Sequence, residues 1–297
     1  MTYEELQNET TKLYKNTFSN SNELFDLNNY LSESYISARN HSYKVIPKHI
    51  FLLEQSTSLM LLFSKYISNA RGDGQKNAFN AQIARSLNSL ITSRELLLNG
   101  FEDTARVITR NLIESLEISL AILVDVNFAN NFMSENSMEY DSLWKNHIGY
   151  GKIYKYIKQV HDLADLSMKD AEDYIERHKE IKNLLSSSVH ADETGAFRSM
   201  VIPILGYPDM FSLEKHGAVS YHTANHISMI IHEIYNYIGL FINCLIKKKI
   251  EFLNEIPKDN LDLKLFLEYA IVFQEIYMKY DLEDGEKIIA KDYQDIS

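Results

Sequence analysis

The sequence predicts an all-α protein, a multi-helix bundle with long core helices and peripheral terminal helices. The chain has 297 residues, 45% of them hydrophobic, which is enough for a substantial core. It holds only 10 glycines and 4 prolines, whereas an all-β chain of this length needs many turns built from both. Apolar residues instead recur at helical spacing over long runs. We therefore expect helix to exceed about 65% of residues, well above the average for globular proteins, and strands to be nearly absent.

Each predicted helix follows from its own apolar periodicity and from the residues that break it. Two polar helices are expected over 2–17 and 22–39. Pro47 opens an apolar helix, because proline suits the first helical turn. The later helices are predicted over residues 76–98, 102–124, 168–188, 219–252 and 260–280. Shorter helices are predicted over 127–160. The longest irregular stretch is predicted over 191–218, which holds two prolines and three glycines.

The chain shows no clean linker, so a single all-helical domain over residues 1–297 is expected. Its core is predicted to cover about 45–250, with peripheral helices within 1–40 and 258–297. The N-terminal stretch is acidic and polar and lacks the hydrophobic region of a signal peptide. This predicts a cytoplasmic protein.

The composition excludes several classes of function. The net charge of −11 argues against a broad nucleic-acid-binding surface, although a local basic groove is compatible with it. Cys244 is the sole cysteine, which excludes an intrachain disulfide and a cysteine-rich zinc module. The chain also lacks a P-loop, a GxGxxG motif, a nucleophile elbow and a CxxC pair. No cofactor is predicted.

One segment, ISMIIHEIYNYIGLFINCLIKKK, is apolar enough to need a membrane test. A spanning helix needs about 20 predominantly apolar residues. Polar side chains interrupt this one at His232, Glu233, Asn236 and Asn243, and charge inside a membrane is costly. We therefore predict a buried core helix and no membrane association.

The helix predicted over 102–124 carries a narrow charged stripe. One apolar face holds Phe101, Ala105, Ile108, Leu112, Leu116, Ser119 and Leu123. The opposite stripe holds Arg106, Arg110, Glu114 and Glu117, and apolar residues border it on both sides. A helix that is apolar on nearly every side is usually buried, so these charges must pair or face a cleft. The alternative is a solvent face with ion pairs four residues apart.

The helix predicted over 168–188 ends in LSSSVHADETGAF. His178 lies inside its apolar face, which predicts a hydrogen-bonded core histidine. His190 projects away from that face, and the preceding serines loosen the last turn by competing for backbone hydrogen bonds. His190 is then either a general acid or base at a cleft or a surface histidine at the negative end of the helix dipole.

Two further segments carry candidate ligands. His222, His226 and Glu233 fall within about 40° of each other on one helix. Such an H-x3-H pair can bind zinc, but polar pocket lining and core histidines are the alternatives; we predict that His222 and His226 point inward and that no metal is bound. In WKNHIGYGKIYKYIK, over 144–158, lysines alternate with tyrosines as in nucleic-acid stacking platforms. Two glycines interrupt this run, so a solvated basic helix is the preferred interpretation.

The segment LNSLITSRELLLNGFEDTARVITRNLIESLEISLAIL, followed by NLLSSSVHAD, resembles a bacterial family of all-helical proteins of unknown function. In that family a helical hairpin carries an Arg-x3-Glu element, and a later helix ends in a Ser-x-x-His element. Arg110, Glu114, Ser187 and His190 match these positions. The resemblance covers roughly residues 80–195. It extends distantly to HEPN-type and abortive-infection proteins, many of which are RNA-cleaving toxins in antiviral defence.

The resemblance implies an intracellular defence or toxin protein that cleaves RNA without a metal. Arg110, Glu114 and His190 would form a composite cleft, with His190 as base and Arg110 as phosphate clamp. Separately, binding roles are expected for Ser187, which matches the family element, and for Arg106, His222 and His226. The chain lacks the Arg-x4–6-His motif of HEPN nucleases. The alternative is a non-catalytic helical module that binds a small ligand, a partner protein or a second copy of itself.

Overall fold

The computed structural model describes residues 8, 12, 27–69, 74–133, 142–189, 202–204, 207–212, 221–247, 249–253, 256–257 and 259–280. Helices account for most of these residues, which confirms the predicted all-α class. The first predicted helix, over 2–17, and the start of the second lie largely outside the described residues.

Nine α-helices and three short helical turns follow one another in the described part of the chain. The α-helices are α1 (Leu27–Val45), α2 (Pro47–Ser68), α3 (Gly74–Leu98), α4 (Glu102–Val124), α5 (Val126–Phe132), α6 (Tyr154–Leu163), α7 (Met168–Val189), α8 (Tyr221–Ile246) and α9 (Leu261–Lys279). The short turns are a π-helix (Trp144–Ile148) and two 3-10 turns (Gly149–Gly151 and Glu251–Leu253). Most bounds lie within a few residues of the predicted ones.

The α4 helix is the central element of the fold. It packs against α3, α6, α7 and α8. Glu102 and Asp103 lie in its first turn, where acidic side chains favour the positive end of the helix dipole. The helix ends at Asp125, whose extended backbone breaks the hydrogen-bond ladder and whose side chain accepts from the amides of Asn127 and Phe128 to start α5. A helix in this position presents its charged stripe to its neighbours as well as to solvent.

An aromatic cluster fills the core between α2, α3, α8 and α9. Phe63 lies 4.6 Å from Phe241 and 5.2 Å from Phe266, measured between ring centroids. Phe266 and Phe273 of α9 are buried, and α9 packs along α2. The hydrophobic core therefore extends beyond the predicted range of about 45–250.

The segment predicted as irregular over 191–218 contains a small β-hairpin. Strands β1 (Ile202–Ile204) and β2 (Tyr207–Ser212) pair antiparallel, with Ile202 opposite Ser212. These short strands are a local exception to the nearly strand-free fold that the sequence predicts. Pro203 and Pro208, taken as signs of irregular structure, are compatible with strands at the edge of so small a sheet.

The helix over His222–Ile246 is long and apolar enough to cross a membrane, by length and composition. Half of its apolar window is buried inside the protein. The buried side chains include Ile227, Ile230, Ile231, Ile234, Tyr237, Phe241 and Cys244. This burial agrees with the predicted core helix.

Candidate functional site

The charged stripe of α4 is mostly packed against protein. The side chains of Arg106 and Glu117 are buried, and that of Arg110 is 26% exposed. Ion pairs four residues apart do form: Arg106 Nη2 lies 2.8 Å from Glu102 Oε1, and Arg110 Nε lies 3.0 Å from Glu114 Oε1. The predicted pairing is therefore present, and the stripe is buried at Arg106 and Glu117 but partly exposed at Arg110 and Glu114.

Arg110 and Glu114 lie in a groove of about 570 Å³ bounded by α4, α7 and the segment before α6. Arg110 spans the groove wall, because its Nη1 donates to Ser186 Oγ of α7 at 2.7 Å while its Nε holds Glu114. The lining comprises Arg85, Arg110, Asn111, Glu114, Ser115, Glu117, Ile118, Trp144, Ile148, Gly149, Tyr150, Gly151, Ile153, Tyr154, Lys179, Lys182, Asn183 and Ser186.

The groove is basic although the chain is acidic. Its ionisable lining combines four cations, Arg85, Arg110, Lys179 and Lys182, with two carboxylates, Glu114 and Glu117. Lys182 Nζ lies 2.8 Å from both oxygens of Glu117. Arg85 donates instead to the Asn111 side chain at 2.7 Å, and Lys179 lies 5.2 Å from the centre of the Tyr154 ring. Positive charge is therefore in local excess.

Aromatic side chains form the remaining wall, where the sequence predicts a solvated basic helix over 144–158. The chain there makes a π-helix and a 3-10 turn before α6 begins, because Gly149 and Gly151 break the regular helix. Trp144, Tyr150 and Tyr154 line the groove, whereas Lys145 and Lys152 are exposed outside its lining. The lysines are therefore solvated as predicted, but the segment is not one regular helix, and its Tyr154 ring lies beside Lys179 and Lys182.

A buried charge network lies behind the groove. His178 is fully buried, with Nδ1 3.1 Å from Glu117 Oε1 and Nε2 2.6 Å from Glu233 Oε2. Burial opposes protonation, but the hydrogen bonds and charges of the two carboxylates outweigh it and raise the pKa of His178. This confirms the predicted hydrogen-bonded core histidine.

The network continues from Glu233 to a second cavity. Arg177 Nε lies 3.2 Å from Glu233 Oε1, and Arg177 Nη1 lies 2.7 Å from His232 Nε2. His232 Nδ1 is in turn 2.7 Å from the Tyr277 hydroxyl of α9. Burial alone would raise the pKa of Glu233, but His178 and Arg177 lower it. Polar contacts thus run from Lys182 in the groove, through the core, to a cavity of about 650 Å³ beside Tyr277.

Sequence reasoning missed this network, although each helix gave a signal. Glu117 and Glu233 are buried on largely apolar helices, and His178 lies on the apolar face of α7. A buried ionisable side chain needs a partner, so three of them indicate mutual pairing. The pairing itself depends on how α4, α7 and α8 pack, which periodicity along one helix does not specify.

The predicted binding residues Arg106 and His226 belong to a different cluster. Thr223 Oγ1 donates to Glu102 at 3.1 Å, and His226 Nε2 lies 2.8 Å from Thr109 Oγ1. Burial, with a contribution from Arg106, lowers the pKa of His226 to about 3. His226 points inward as predicted, and His222 is half-buried. Arg106, His222 and His226 are absent from the groove lining, and their predicted binding roles stay predictions.

Two members of the predicted site lie outside the described residues. His190 is one, and the side chain of Ser187 is the other. The convergence of His190 with Arg110 and Glu114 therefore stays a prediction, while Ser186 makes the contact to Arg110. Across the described ranges, no group of three or more His, Cys, Asp or Glu side chains is arranged to hold a metal ion.

Comparison of the chain with protein-family models, curated proteins and solved structures finds no match. The chemistry of the groove and of the charge network is therefore the basis for assigning a function.

Proposed function

We propose that the protein binds a phosphorylated small ligand in the groove between α4 and α7. The observation that carries this proposal is the convergence of four basic side chains on one groove in a chain whose net charge is −11. A local basic groove attracts anions even where the whole protein is acidic, because short-range charge dominates inside a cleft. The volume of about 570 Å³ is in the usual range for small-ligand sites.

Arg110 is the residue best placed to bind the phosphate. A guanidinium has five N–H donors in a fixed plane that matches phosphate oxygens. Its contacts to Glu114 and Ser186 use Nε and Nη1. Within the described residues, this leaves Nη2 for an anion, while both contacts hold the guanidinium plane in place. Lys182 is similarly anchored by Glu117, and Arg85 and Lys179 supply charge that no carboxylate neutralises among the ion pairs of the described residues.

Calorimetric titration with pyrophosphate and with ribose 5-phosphate tests the proposal. We expect saturable binding, and an affinity about tenfold lower in Arg110→Met, the cost of losing one charge-assisted hydrogen-bonding group. Arg39→Met is the matched control, since Arg39 also pairs with a glutamate, Glu95, but lies outside the groove. Absence of binding by both probes, or an equal loss in the two variants, would contradict the proposal.

A second candidate function is RNA cleavage, with the groove as the phosphate site and the protein acting in antiviral defence. One observation favours it: Ser186, which contacts Arg110, precedes His190 by only four residues. In this proposal His190 is the base for the 2′-hydroxyl, Arg110 holds the phosphate and Glu114 orients Arg110. His190→Ala should abolish RNA cleavage or growth inhibition on overexpression and leave the melting temperature nearly unchanged. Full activity with a much lower melting temperature would make His190 structural.

A further inference from the structure

The aromatic wall of the groove is built in an unusual way. Tyr150 is 87% exposed, although a large aromatic side chain normally gains from burial. Its backbone is left-handed, with φ of 55° and ψ of 30°, a region that non-glycine residues seldom adopt. Such conformations persist where the surrounding structure enforces them, and they concentrate at functional sites. The fold thus holds Tyr150 in a strained conformation that leaves its ring in solvent.

Trp144 stands beside Tyr150 and is held by close packing. The two rings are 5.6 Å apart with an interplanar angle of 67°. Gly149 lies directly against the indole: a Cβ added there would come within 2.9 Å of two of its ring carbons, so no larger residue fits without moving Trp144. The indole nevertheless remains 42% exposed. One side of the indole therefore packs against Gly149, and the rest of the ring remains accessible.

Both rings belong to the same lining as the cations. Trp144 and Tyr150 line the groove with Arg110, Lys179 and Lys182. Lys179 and Lys182 already lie over the third ring, that of Tyr154, at 5.2 and 4.8 Å. Exposed aromatic rings beside a cationic strip are the combination that binds nucleotides, since the rings stack on a base while the cations hold phosphate.

We infer that Trp144 and Tyr150 bind a nucleobase, so that the ligand of the groove is a nucleotide rather than any phosphorylated molecule. This inference rests on the proposed phosphate site and adds the residues that determine specificity. Arg110 and Lys182 provide the phosphate contacts, and the exposed rings of Trp144 and Tyr150 provide the base contact. A ligand without a base leaves both rings in water and gains only the phosphate contacts.

The test compares AMP, GMP, CMP and UMP, one at a time, with ribose 5-phosphate, which carries a hydroxyl at C1 in place of the base. Dissociation constants come from calorimetry. Trp144 is the single tryptophan of the chain, so its fluorescence reports contact at this wall without substitution. We expect at least one nucleotide to bind about tenfold or more tightly than ribose 5-phosphate and to quench Trp144, in line with the usual strength of base stacking.

Variants separate the base contact from the phosphate contact. Tyr150→Ala should lower nucleotide affinity and leave the affinity for ribose 5-phosphate unchanged, while Tyr150→Phe keeps the ring and the affinity. Tyr43→Ala is the matched control, because Tyr43 is also exposed but lies on α1 outside the groove lining. Equal binding of nucleotides and ribose 5-phosphate overturns this inference alone. Binding of neither overturns the proposed phosphate site as well.

Discussion

At the scale of single residues, two of the buried histidines, His226 and His178, respond oppositely to their surroundings. His226 contacts a threonine hydroxyl, and burial with nearby Arg106 keeps it neutral, with a pKa of about 3. His178 lies between Glu117 and Glu233, which raise its pKa despite equal burial. Burial alone therefore does not determine the charge state, since the type of partner decides it.

The low pKa of His226 predicts a loss of stability in acid. Its pKa is about 3 when folded and near 6.5 when unfolded. The unfolded chain then binds the proton first, and stability falls as the pH drops through 6.5 toward 3. Between about pH 6.5 and 4.5 this one group removes roughly 2 kcal/mol. Urea unfolding at several pH values should show a shallower loss in His226→Gln than in the wild type.

Other groups titrate near that window, and the direction of each pKa shift gives the sign of that group's contribution to stability. His161 and His232 also have lowered pKa values, so they add to the acid loss in both proteins. The contribution of His178, whose pKa is raised, is complete below its unfolded pKa and lost only as the pH rises. The contribution of Glu233 is lost below its unfolded pKa of about 4.5. Parallel curves for the two proteins would show that His226 is not the cause.

At the scale of helices, α4 carries two carboxylates one turn apart with different surroundings. Glu114 is 45% exposed and pairs with Arg110, whereas Glu117 is 4% exposed and contacts both His178 and Lys182. Glu114 lies on the groove surface, whereas Glu117 links α4 to α7 through its buried contacts. The same helix therefore supplies a ligand-facing group and a packing group within a single turn.

This difference predicts unequal costs of neutralisation. Glu114→Gln should lower the free energy of unfolding by less than about 1 kcal/mol, because exposed ion pairs contribute little. Glu117→Gln should cost about 3 kcal/mol, since it leaves buried His178 without one of its two partners. Chemical denaturation of both variants measures the difference. Equal costs would mean that the network around His178 contributes no more than a surface pair.

Arg110→Ala has a small expected cost for the same reason. Its partner Glu114 is half-exposed, so water can solvate the carboxylate after the arginine is removed. A larger penalty would be expected if the apolar residues that border the stripe in the sequence enclosed Glu114. The exposure of Glu114 depends on how the helices pack. Ser186 of α7 covers the stripe at Arg110, and Glu114 stays accessible to solvent.

At the scale of the whole molecule, the sequence predicted the fold class and most helix bounds, because apolar periodicity and helix breakers are local signals. Arg110 and Glu114 were predicted to face a cleft and do line one. The groove positions of Arg85 and Lys179 could not be predicted from the sequence. A basic residue on an exposed helix face gives the same sequence pattern whether or not a groove lies beside it. The positions of Trp144 and Tyr150 depend on the break in the helix at two glycines. Apolar periodicity does not predict the geometry of such a break.

The contrast between an acidic chain and a basic groove predicts opposite effects of salt. Raising ionic strength from about 0.1 M to about 1 M shortens the screening length from roughly 10 to 3 Å. The net charge of −11 then repels itself less, so the melting temperature should rise slightly. Pyrophosphate binding should weaken over the same range. Thermal scans and calorimetry in a salt series measure both, and tighter binding at high salt would contradict an electrostatic site.

The pairing of His178 with two carboxylates determines which protons its ring carries. A neutral imidazole has one N–H donor and one acceptor, yet Glu117 and Glu233 both present acceptors, at 3.1 and 2.6 Å. Only the doubly protonated ring places an N–H beside each of the two carboxylates. Because the two carboxylates raise the pKa of His178, we expect the folded protein to favour this doubly protonated ring. Both ring protons are also shielded from water, so they should exchange slowly and give separate downfield proton resonances that mark the docking of α4, α7 and α8.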